Sequence, residues 1–146
     1  LQDSIVIGED SGICIESLDN KPGIYSSRYA NISDFTNKES INNAKDASDI
    51  ANINKVIKEL NNKNIESSKA YFISCVAAIK NEQIFTAHGL MHGKVINKIL
   101  GNGGFGYDPI FVPDGFEKSL GELSNDIKDS ISHRFKALNL IKILIK

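Results

Sequence analysis

Residues 103–111 have the composition of a ligand-binding turn, with glycines around two aromatic rings and a carboxylate. Glycine allows a backbone to approach a ligand closely or to adopt a positive φ. The rings of Phe105 and Tyr107 offer flat faces for stacking, and Asp108 can accept a hydrogen bond from a ring N–H. The segment therefore predicts a nucleotide-base pocket. The alternative is core packing of an aromatic turn beside a strand.

A second group of polar residues, Glu9-Asp10-Ser11-Gly12, separates two short apolar runs at residues 5–8 and 13–16. Two short apolar runs with a polar segment between them predict two strands joined by a turn. Carboxylates at strand ends can hold Mg²⁺ while water and phosphates complete its coordination, and Asp10 could take a proton from attacking water. The alternative is an Asp/Ser/Gly turn without a chemical role.

A third candidate lies at the start of the last predicted helix. His133 and Arg134 follow Ser132 there, and Lys128 comes five residues before His133. Free backbone N–H groups and basic side chains at a helix start attract anions. The alternative is a solvated helix with ordinary basic residues.

Two other patterns are rejected. The glycines at 101, 103 and 106 match a dinucleotide fingerprint, but Pro109 follows where that fingerprint requires a helix. His88 and His92 have the spacing of a helical metal pair, yet Gly89 and Gly93 argue against a helix there.

The remaining elements follow from apolar periodicity. Residues 71–79, 84–90 and 94–99 are predicted strands. A helix carries an apolar stripe at Ile50, Ile53, Ile57 and Leu60, after a possible capping box at Thr36 and Glu39. A closing helix carries Phe135, Leu138, Ile141 and Ile145. These elements predict one domain over residues 1–146, of α/β or α+β class with a mostly antiparallel centre.

Composition narrows the class of function. The chain has 146 residues, is 41% hydrophobic and 24% charged, and carries a formal net charge of −1. This balance gives no electrostatic reason to bind a nucleic-acid polymer or an anionic membrane. No apolar run has the length of a membrane span and no signal peptide is visible. Cys14 and Cys75 are predicted to be buried free thiols, which fits the cytoplasm.

Four motifs in this order resemble the inosine/xanthosine triphosphate pyrophosphatase family, which removes deaminated purine nucleotides. They are residues 9–12, residues 22–29 (PGIYSSRY), residues 103–111 and residues 130–134 (SISHR). The resemblance implies an elongated mixed sheet flanked by helices and a homodimer. It also implies Mg²⁺-dependent hydrolysis of ITP, dITP or XTP to the monophosphate and pyrophosphate.

The resemblance also implies roles for individual residues. Asp10 matches the proton acceptor and metal ligand, with Glu9 beside it where the family usually has a first Asp. Ser11 matches a substrate contact. The other substrate-binding matches are Phe105, Gly106, Tyr107, Asp108, Lys128, His133 and Arg134.

Physical chemistry then suggests a division of labour between Arg134 and Asp10. Arg134 only donates hydrogen bonds, and a 6-keto purine presents O6 and N7 acceptors, whereas adenine presents an amino donor at position 6. We therefore hypothesise that Arg134 selects the purine and Asp10 sets the rate. This hypothesis requires Asp10 and Tyr107 to face one cleft.

The family pattern begins with a strand, a triphosphate-binding Thr/Ser-x-Asn-x-x-Lys loop, a helix and an acidic metal ligand, none of which precedes Leu1. The sequence therefore suggests an N-terminally incomplete domain that lacks the first strand and helix. The favoured interpretation is part of an active enzyme. The alternative is a non-catalytic nucleotide-binding or dimer-partner remnant of that family.

Overall fold

The computed structural model describes residues 4–146. Its strands are β1 (Val6–Ile15), β2 (Lys21–Gly23), β3 (Ser67–Lys80), β4 (Gln83–Ile96) and β5 (Phe111–Pro113). Its helices are α1 (Lys38–Asn43), α2 (Asp49–Asn62), α3 (Asn125–Ile131) and α4 (His133–Leu144), with 3₁₀ turns at Glu16–Leu18, Ser26–Asn31 and Asp108–Ile110. The described strands form one antiparallel sheet in the order β2-β1-β3-β4-β5. The α/β (α+β) class with an antiparallel centre is confirmed.

β1 runs straight through the residues predicted to form a turn, so the prediction of two short strands is wrong. Every residue of β1 pairs in register with β3, from Val6 opposite Ile79 to Ile15 opposite Ala70. The long apolar partner strand supplies enough ladder hydrogen bonds to keep the polar segment extended. Because side chains alternate along a strand, Glu9 and Asp10 point to opposite faces of the sheet.

β4 is also continuous, which corrects the prediction of separate strands at residues 84–90 and 94–99. Gly89 and Gly93 lie inside it. Glycine within a strand often marks a place where another backbone approaches closely. A Cβ on Gly93 would overlap the carbonyl oxygen of Val112 and lie 2.8 Å from Cζ of Phe111.

The sheet has one buried face. On β3, Phe72, Ser74 and Val76 are buried, whereas the alternate residues are half-buried. One apolar cluster joins this face to α2, and a second joins it to α4 through Ala137 and Ile141. The opposite face is open, and it carries Tyr71, Ile73, Cys75 and Cys14. Both cysteines are unpaired and half-buried rather than buried.

The helices follow the predicted apolar pattern only in part. Ile53 and Leu60 of α2 are buried, but Ile50 is exposed. In α4 the buried pair is Ala137 and Ile141 instead of the larger Phe135 and Leu138. The cap of α1 is Asn37, whose side chain accepts from the N–H groups of Glu39 and Ser40, so the predicted Thr36 cap is wrong.

The close approach of α4 to β4 generates a stability prediction at Gly89. A Cβ there would overlap the backbone oxygen of His133 and lie 2.6 Å from the backbone nitrogen of Ala137. Gly89→Ala should therefore lower the free energy of unfolding by about 1–3 kcal/mol, because α4 must move away from the sheet. Urea denaturation followed by circular dichroism measures this change.

Gly8→Ala is the matched control, because no atom lies within 4 Å of a Cβ built at Gly8 in β1. Its free energy of unfolding should stay within about 0.5 kcal/mol of the wild-type value. Equal stability of the two variants would contradict the close packing of α4 on β4.

Candidate active site

The turn before β5 is held by its own carboxylate. Gly104 and Gly106 have φ values of 74° and 58°, which favour glycine. The Oδ2 atom of Asp108 accepts a hydrogen bond from the N–H of Phe105 (3.2 Å) and pairs with Nζ of Lys128 (3.2 Å). A Cβ on Gly104 would overlap that Oδ2 and lie 2.6 Å from Nζ of Lys128. The lack of a side chain at Gly104 thus allows the Asp108–Lys128 ion pair to pack directly against the turn.

The two aromatic rings of this turn have different environments. Phe105 is 60% exposed, whereas Tyr107 is only 4% exposed. The hydroxyl of Tyr107 donates to the carbonyl oxygen of Ser26 (2.6 Å). Burial, with the nearby charges of Asp49 and Glu59, raises the pKa of Tyr107 above its ordinary value. Tyr107 is therefore a core anchor, which corrects its prediction as a stacking face, and Phe105 alone presents an accessible ring.

Asp108 is buried, although residues 101–105 of the preceding turn are exposed. Burial raises the pKa of its carboxyl group, and the opposing effects of the Phe105 N–H and the Lys128 ammonium do not cancel that rise. With Oδ2 already engaged, Oδ1 is the oxygen without a hydrogen-bond donor within residues 4–146.

His133 begins α4 and lies flat against the sheet. Ser132 caps the helix by accepting a hydrogen bond from the N–H of Phe135 (3.0 Å). The imidazole stacks on Phe72 with a 5.0 Å centroid separation and an interplanar angle of 13°. Burial, together with the positive charge of Arg134, lowers the pKa of His133 to about 4. The ring is therefore neutral near pH 7, and its buried Nδ1 has no partner among the described residues.

Arg134 links the last helix to β1 and to the turn. Its Nε donates to Oε1 of Glu9 (3.2 Å) and to Oγ of Ser11 (3.3 Å). Its guanidinium carbon lies 5.1 Å from the centroid of the Phe105 ring, within cation–π range. The ring and the guanidinium thus form two adjoining walls of one site.

Glu9 is an anchor for Arg134 in this arrangement. Its Oε1 also accepts hydrogen bonds from the hydroxyls of Ser11 and Ser74, the latter at 2.8 Å. Burial would raise the pKa of Glu9, but the hydrogen bonds from both serines and the Arg134 charge outweigh it and lower that pKa. A half-exposed ion pair contributes little stability, so its main effect is to orient the guanidinium.

Asp10 lies apart from these residues. It lines a separate cavity on the open face of the sheet, next to Cys75 and His88. These three residues face one another across β1, β3 and β4 in register. The structure therefore does not bring Asp10 and Tyr107 into one cleft, contrary to the requirement stated above, because β1 is a regular strand instead of a turn.

The predicted site residues gather around one cavity of about 350 Å³ on the buried side of the sheet. Those lining it are Ser11, Phe105, Gly106, Tyr107, Asp108, His133 and Arg134. Lys128 lines an adjoining cavity with Phe105 and Arg134. Ser11 and Gly12 line both the main cavity and the Asp10 cavity. The two cavities therefore adjoin at β1.

Comparison with known proteins identifies the family. Residues 2–143 match the model of the Ham1 family. The chain belongs to the Ham1 family. A dITP/XTP pyrophosphatase of Nautilia profundicola is 48% identical over 146 residues, which are 100% of this chain and 68% of that protein. One from Campylobacter jejuni (serotype O:2) is 43% identical over 99% of this chain and 66% of its own length.

Solved structures of Ham1 proteins share the fold. The Staphylococcus aureus Ham1 protein superposes with a TM-score of 0.80 and 32% identity, over 97% of this chain and 67% of its own. A Coxiella burnetii HAM1 protein superposes with a TM-score of 0.80 and 31% identity, over 96% of this chain and 66% of its own. This Ham1-family chain thus spans about two thirds of the length of the relatives that it matches.

Sequence reasoning missed one wall of the cavity. This wall comes from the 3₁₀ turn at Ser26–Asn31 and the start of α2, and it contributes Ser26, Ser27, Asp46, Asp49 and Asn52. Ser48 caps α2 by accepting from the N–H of Ala51 (3.2 Å). A Ser-Asp pair at a helix start was the available signal, but it is equally typical of an ordinary helix cap.

The described carboxylates of this Ham1-family chain do not form a multidentate metal site. Within residues 4–146 no group of three or more His, Cys, Asp or Glu side chains is arranged to hold an ion. Glu9 and Asp10 point to opposite faces, and Glu9 already accepts from Arg134. Joint binding of one ion by this pair, as predicted from the sequence, therefore does not fit the geometry, whereas Asp10 remains exposed.

The low pKa of His133 predicts a specific pH dependence of stability. Between about pH 6.5 and pH 4 the unfolded ring binds a proton that the folded ring does not. The free energy of unfolding is therefore highest above pH 6.5, as far as His133 is concerned. It decreases as the pH falls toward 4, by an amount on the order of 2–3 kcal/mol. Urea unfolding of wild type and His133→Gln at pH 7, 6, 5 and 4.5 measures the difference in slope.

His88→Gln is the control, because His88 is exposed on β4. It should retain the pH dependence that His133→Gln loses. If the free energy of unfolding of His133→Gln changed with pH as steeply as that of the wild type, a buried neutral imidazole would be contradicted.

Proposed function

We propose that this chain hydrolyses deaminated purine nucleoside triphosphates (ITP, dITP and XTP) to monophosphate and pyrophosphate. The observation that carries the proposal is the pairing of an exposed aromatic ring, Phe105, with the Arg134 guanidinium in one cavity. Two relatives that match 99–100% of this chain at 43–48% identity bear the name dITP/XTP pyrophosphatase. The cavity volume of about 350 Å³ is within the range of small-molecule sites.

The base is proposed to stack on Phe105 with its 6-keto edge toward Arg134. Within residues 4–146 the guanidinium donates only through Nε, which leaves Nη1 and Nη2 for the O6 and N7 acceptors of the purine. Neutral His133 adds a buried ring nitrogen, and Oδ1 of Asp108 adds an acceptor for a ring N–H. Gly106 contributes backbone, and Tyr107 supports the turn from behind.

Because Asp10 and Tyr107 lie in two adjoining cavities instead of one cleft, the nucleotide is proposed to span both, with its phosphates extending across β1 toward Asp10. β2 pairs with Ile13–Ile15 of β1, and within residues 4–146 no strand pairs with residues 6–12 on that side. The cavity around the base and the cavity around Asp10 share Ser11 and Gly12 at this edge. A nucleotide extending over it would contact the Ser11 hydroxyl and bring its α-phosphorus toward Asp10, while Lys128 and Arg134 contribute positive charge.

Asp10 is proposed to accept the proton of the attacking water. Its carboxylate is exposed and accepts one hydrogen bond in the described chain, from the N–H of Ser11 (2.9 Å). Mg²⁺ commonly uses one or two carboxylates and completes its shell with water and substrate phosphates, and Asp10 can supply one such ligand. When bound, the ion would offset negative charge on the departing pyrophosphate. The ordered Glu9–Arg134 contact gives Glu9 an orienting role instead.

Assembly and location are proposed from the family resemblance alone. We propose a homodimer, for which sedimentation equilibrium gives the mass, and the cytoplasm as the compartment that contains the nucleotide pool. No helix within residues 4–146 has both the length and the apolar character to cross a bilayer.

The direct test is pyrophosphate release from ITP, dITP, XTP, GTP and ATP with Mg²⁺. We expect kcat/KM for the three deaminated substrates to exceed that for ATP by roughly tenfold or more, since a mispaired buried polar group costs about 1–3 kcal/mol. Binding of ITP without turnover would support the non-catalytic remnant instead. Equal rates with all five nucleotides would refute selection of the base.

Arg134→Ala should reduce the ratio of kcat/KM for ITP to that for ATP toward one, because the guanidinium no longer distinguishes an acceptor at position 6 from a donor. Steady-state kinetics with both nucleotides measures it. Lys136→Ala is a matched basic control on α4, whose side chain contacts the backbone oxygen of Leu90. An unchanged ratio in Arg134→Ala would remove Arg134 from base selection.

Asp10→Asn should lower kcat for ITP by roughly 10²–10⁴-fold, because the amide cannot take a proton from water. The dissociation constant for IMP should change by less than a few fold. Asp19→Asn, an exposed acid beyond the end of β1, is the control and should keep full activity. Equal losses of binding and turnover in Asp10→Asn would contradict a role confined to chemistry.

A further inference from the structure

The turn that presents Phe105 is flanked by carboxylates from two different parts of the chain. The N–H of Phe105 donates to Asp108, which belongs to the turn itself. The next N–H, that of Gly106, donates to Oδ2 of Asp49 at 2.8 Å, from the first residue of α2. Successive backbone N–H groups form a concave site that favours anions. Here the protein fills it with two of its own side chains.

Asp49 is itself held firmly. Ser48 caps α2, and one turn later Asn52 is buried. The Asn52 amide donates to the carbonyl oxygen of Ser27 (3.0 Å) and accepts from the N–H of Ala30 (2.8 Å). These bonds fix the start of α2 against the 3₁₀ turn at Ser26–Asn31.

The same 3₁₀ turn also receives the hydroxyl of Tyr107 through the Ser26 carbonyl oxygen. Two consecutive residues, Gly106 and Tyr107, are therefore tied to one rigid unit formed by α2 and the 3₁₀ turn. The hydrogen bond from the Tyr107 hydroxyl to Ser26 anchors the chain two residues after Phe105, through the Tyr107 side chain. The Asp49 bond fixes the peptide directly next to Phe105.

We propose that Asp49 is a positioning residue for nucleotide binding, which sets the orientation of the Phe105 ring through the Gly106 N–H. This inference rests on the proposed function in one respect, that Phe105 receives the base. Gly104 and Gly106 flank Phe105, and glycine has wide backbone freedom. The ring itself is 60% exposed, with the Arg134 guanidinium against it. A charge-assisted bond at the adjacent peptide adds a second backbone restraint to the bond between the Phe105 N–H and Asp108.

Two other roles of Asp49 predict different behaviour. An acid in the first turn of a helix stabilises that helix whatever lies beyond it, and its loss would lower stability without a selective effect on binding. If the Asp49 charge instead contacted the nucleotide directly, Asp49→Asn would weaken nucleotide binding as much as Asp49→Ala. A positioning role requires only an acceptor for the Gly106 N–H, so Asn should restore it.

The experiment measures the hydrogen bond directly and then nucleotide binding, on the 146-residue chain. In Asp49→Ala, amide hydrogen exchange at Gly106 should accelerate about tenfold or more, since bonds to charged groups are among the stronger ones. Exchange at Gly103, whose N–H donates to the Gly121 carbonyl oxygen (3.0 Å), should not change. The dissociation constant for IMP and KM for ITP should each rise about tenfold, with kcat within about twofold.

Two further variants complete the design. Asp49→Asn should return Gly106 exchange, IMP affinity and KM to within about threefold of wild type. Glu39→Ala removes an acid from the first turn of α1, away from the cavity, and should leave all three unchanged.

The outcomes separate this inference from the proposed function. Unchanged Gly106 exchange in Asp49→Ala, or faster exchange with unchanged IMP affinity, overturns the positioning role even when wild type releases pyrophosphate. A fall in kcat at constant KM overturns it as well. A wild-type chain that binds IMP but does not turn over ITP refutes the proposed hydrolysis, while IMP affinity in the Asp49 variants still decides the positioning role. A wild-type chain that neither binds IMP nor releases pyrophosphate from ITP overturns both.

Discussion

The contact between the first turn of α4 and Gly89 of β4 is the constraint on which the rest of the site depends. It leaves no space for even one methyl group on the strand. The helix start therefore lies directly on the sheet, where His133 stacks on Phe72 and Arg134 reaches both Glu9 and Phe105. Elsewhere on the same face, apolar side chains separate helix from sheet. A missing side chain in the strand thus provides the room in which the cavity's basic wall is built.

The acids around the cavity differ in the groups that donate hydrogen bonds to them. Glu9 accepts from Arg134 and two serines, Asp108 from Lys128 and a turn N–H, and Asp49 from the Gly106 N–H. Each of these carboxylates holds a part of the binding surface in position. Asp10 differs from them because the one hydrogen bond that it accepts in the described chain is local, from the Ser11 N–H, and because it lies on the other face of the sheet. The proposed function therefore assigns recognition of the base and chemistry on the phosphates to opposite sides of one strand.

The sequence predicted some parts of the fold correctly because the responsible physics is local. Residues 71–79 lie within β3, since a long apolar run has few alternatives to a buried strand. The glycines at 104 and 106 adopt positive φ, as the predicted tight turn required. The failures occurred where pairing overrode local propensity. Glu9-Asp10-Ser11-Gly12 has the composition of a turn, but β3 offers it a continuous partner. Residues 84–90 and 94–99 were predicted as separate strands, although they belong to one strand in which Gly89 and Gly93 each admit a neighbouring backbone.

The sequence alone determined the chemical groups of the site and their order, because motifs such as residues 103–111 and 130–134 consist of contiguous residues. It also identified a resemblance that the Ham1-family match bears out. Only the tertiary structure decided which side of the sheet each group faces. Side chains alternate along a strand, so the position of Asp10 depended on whether β1 is broken or continuous. The acidic wall of Asp46 and Asp49 was likewise undetermined, because it adjoins Gly106 through a contact between residues 57 positions apart. Such long-range proximity follows from packing and is not encoded in local residue spacing.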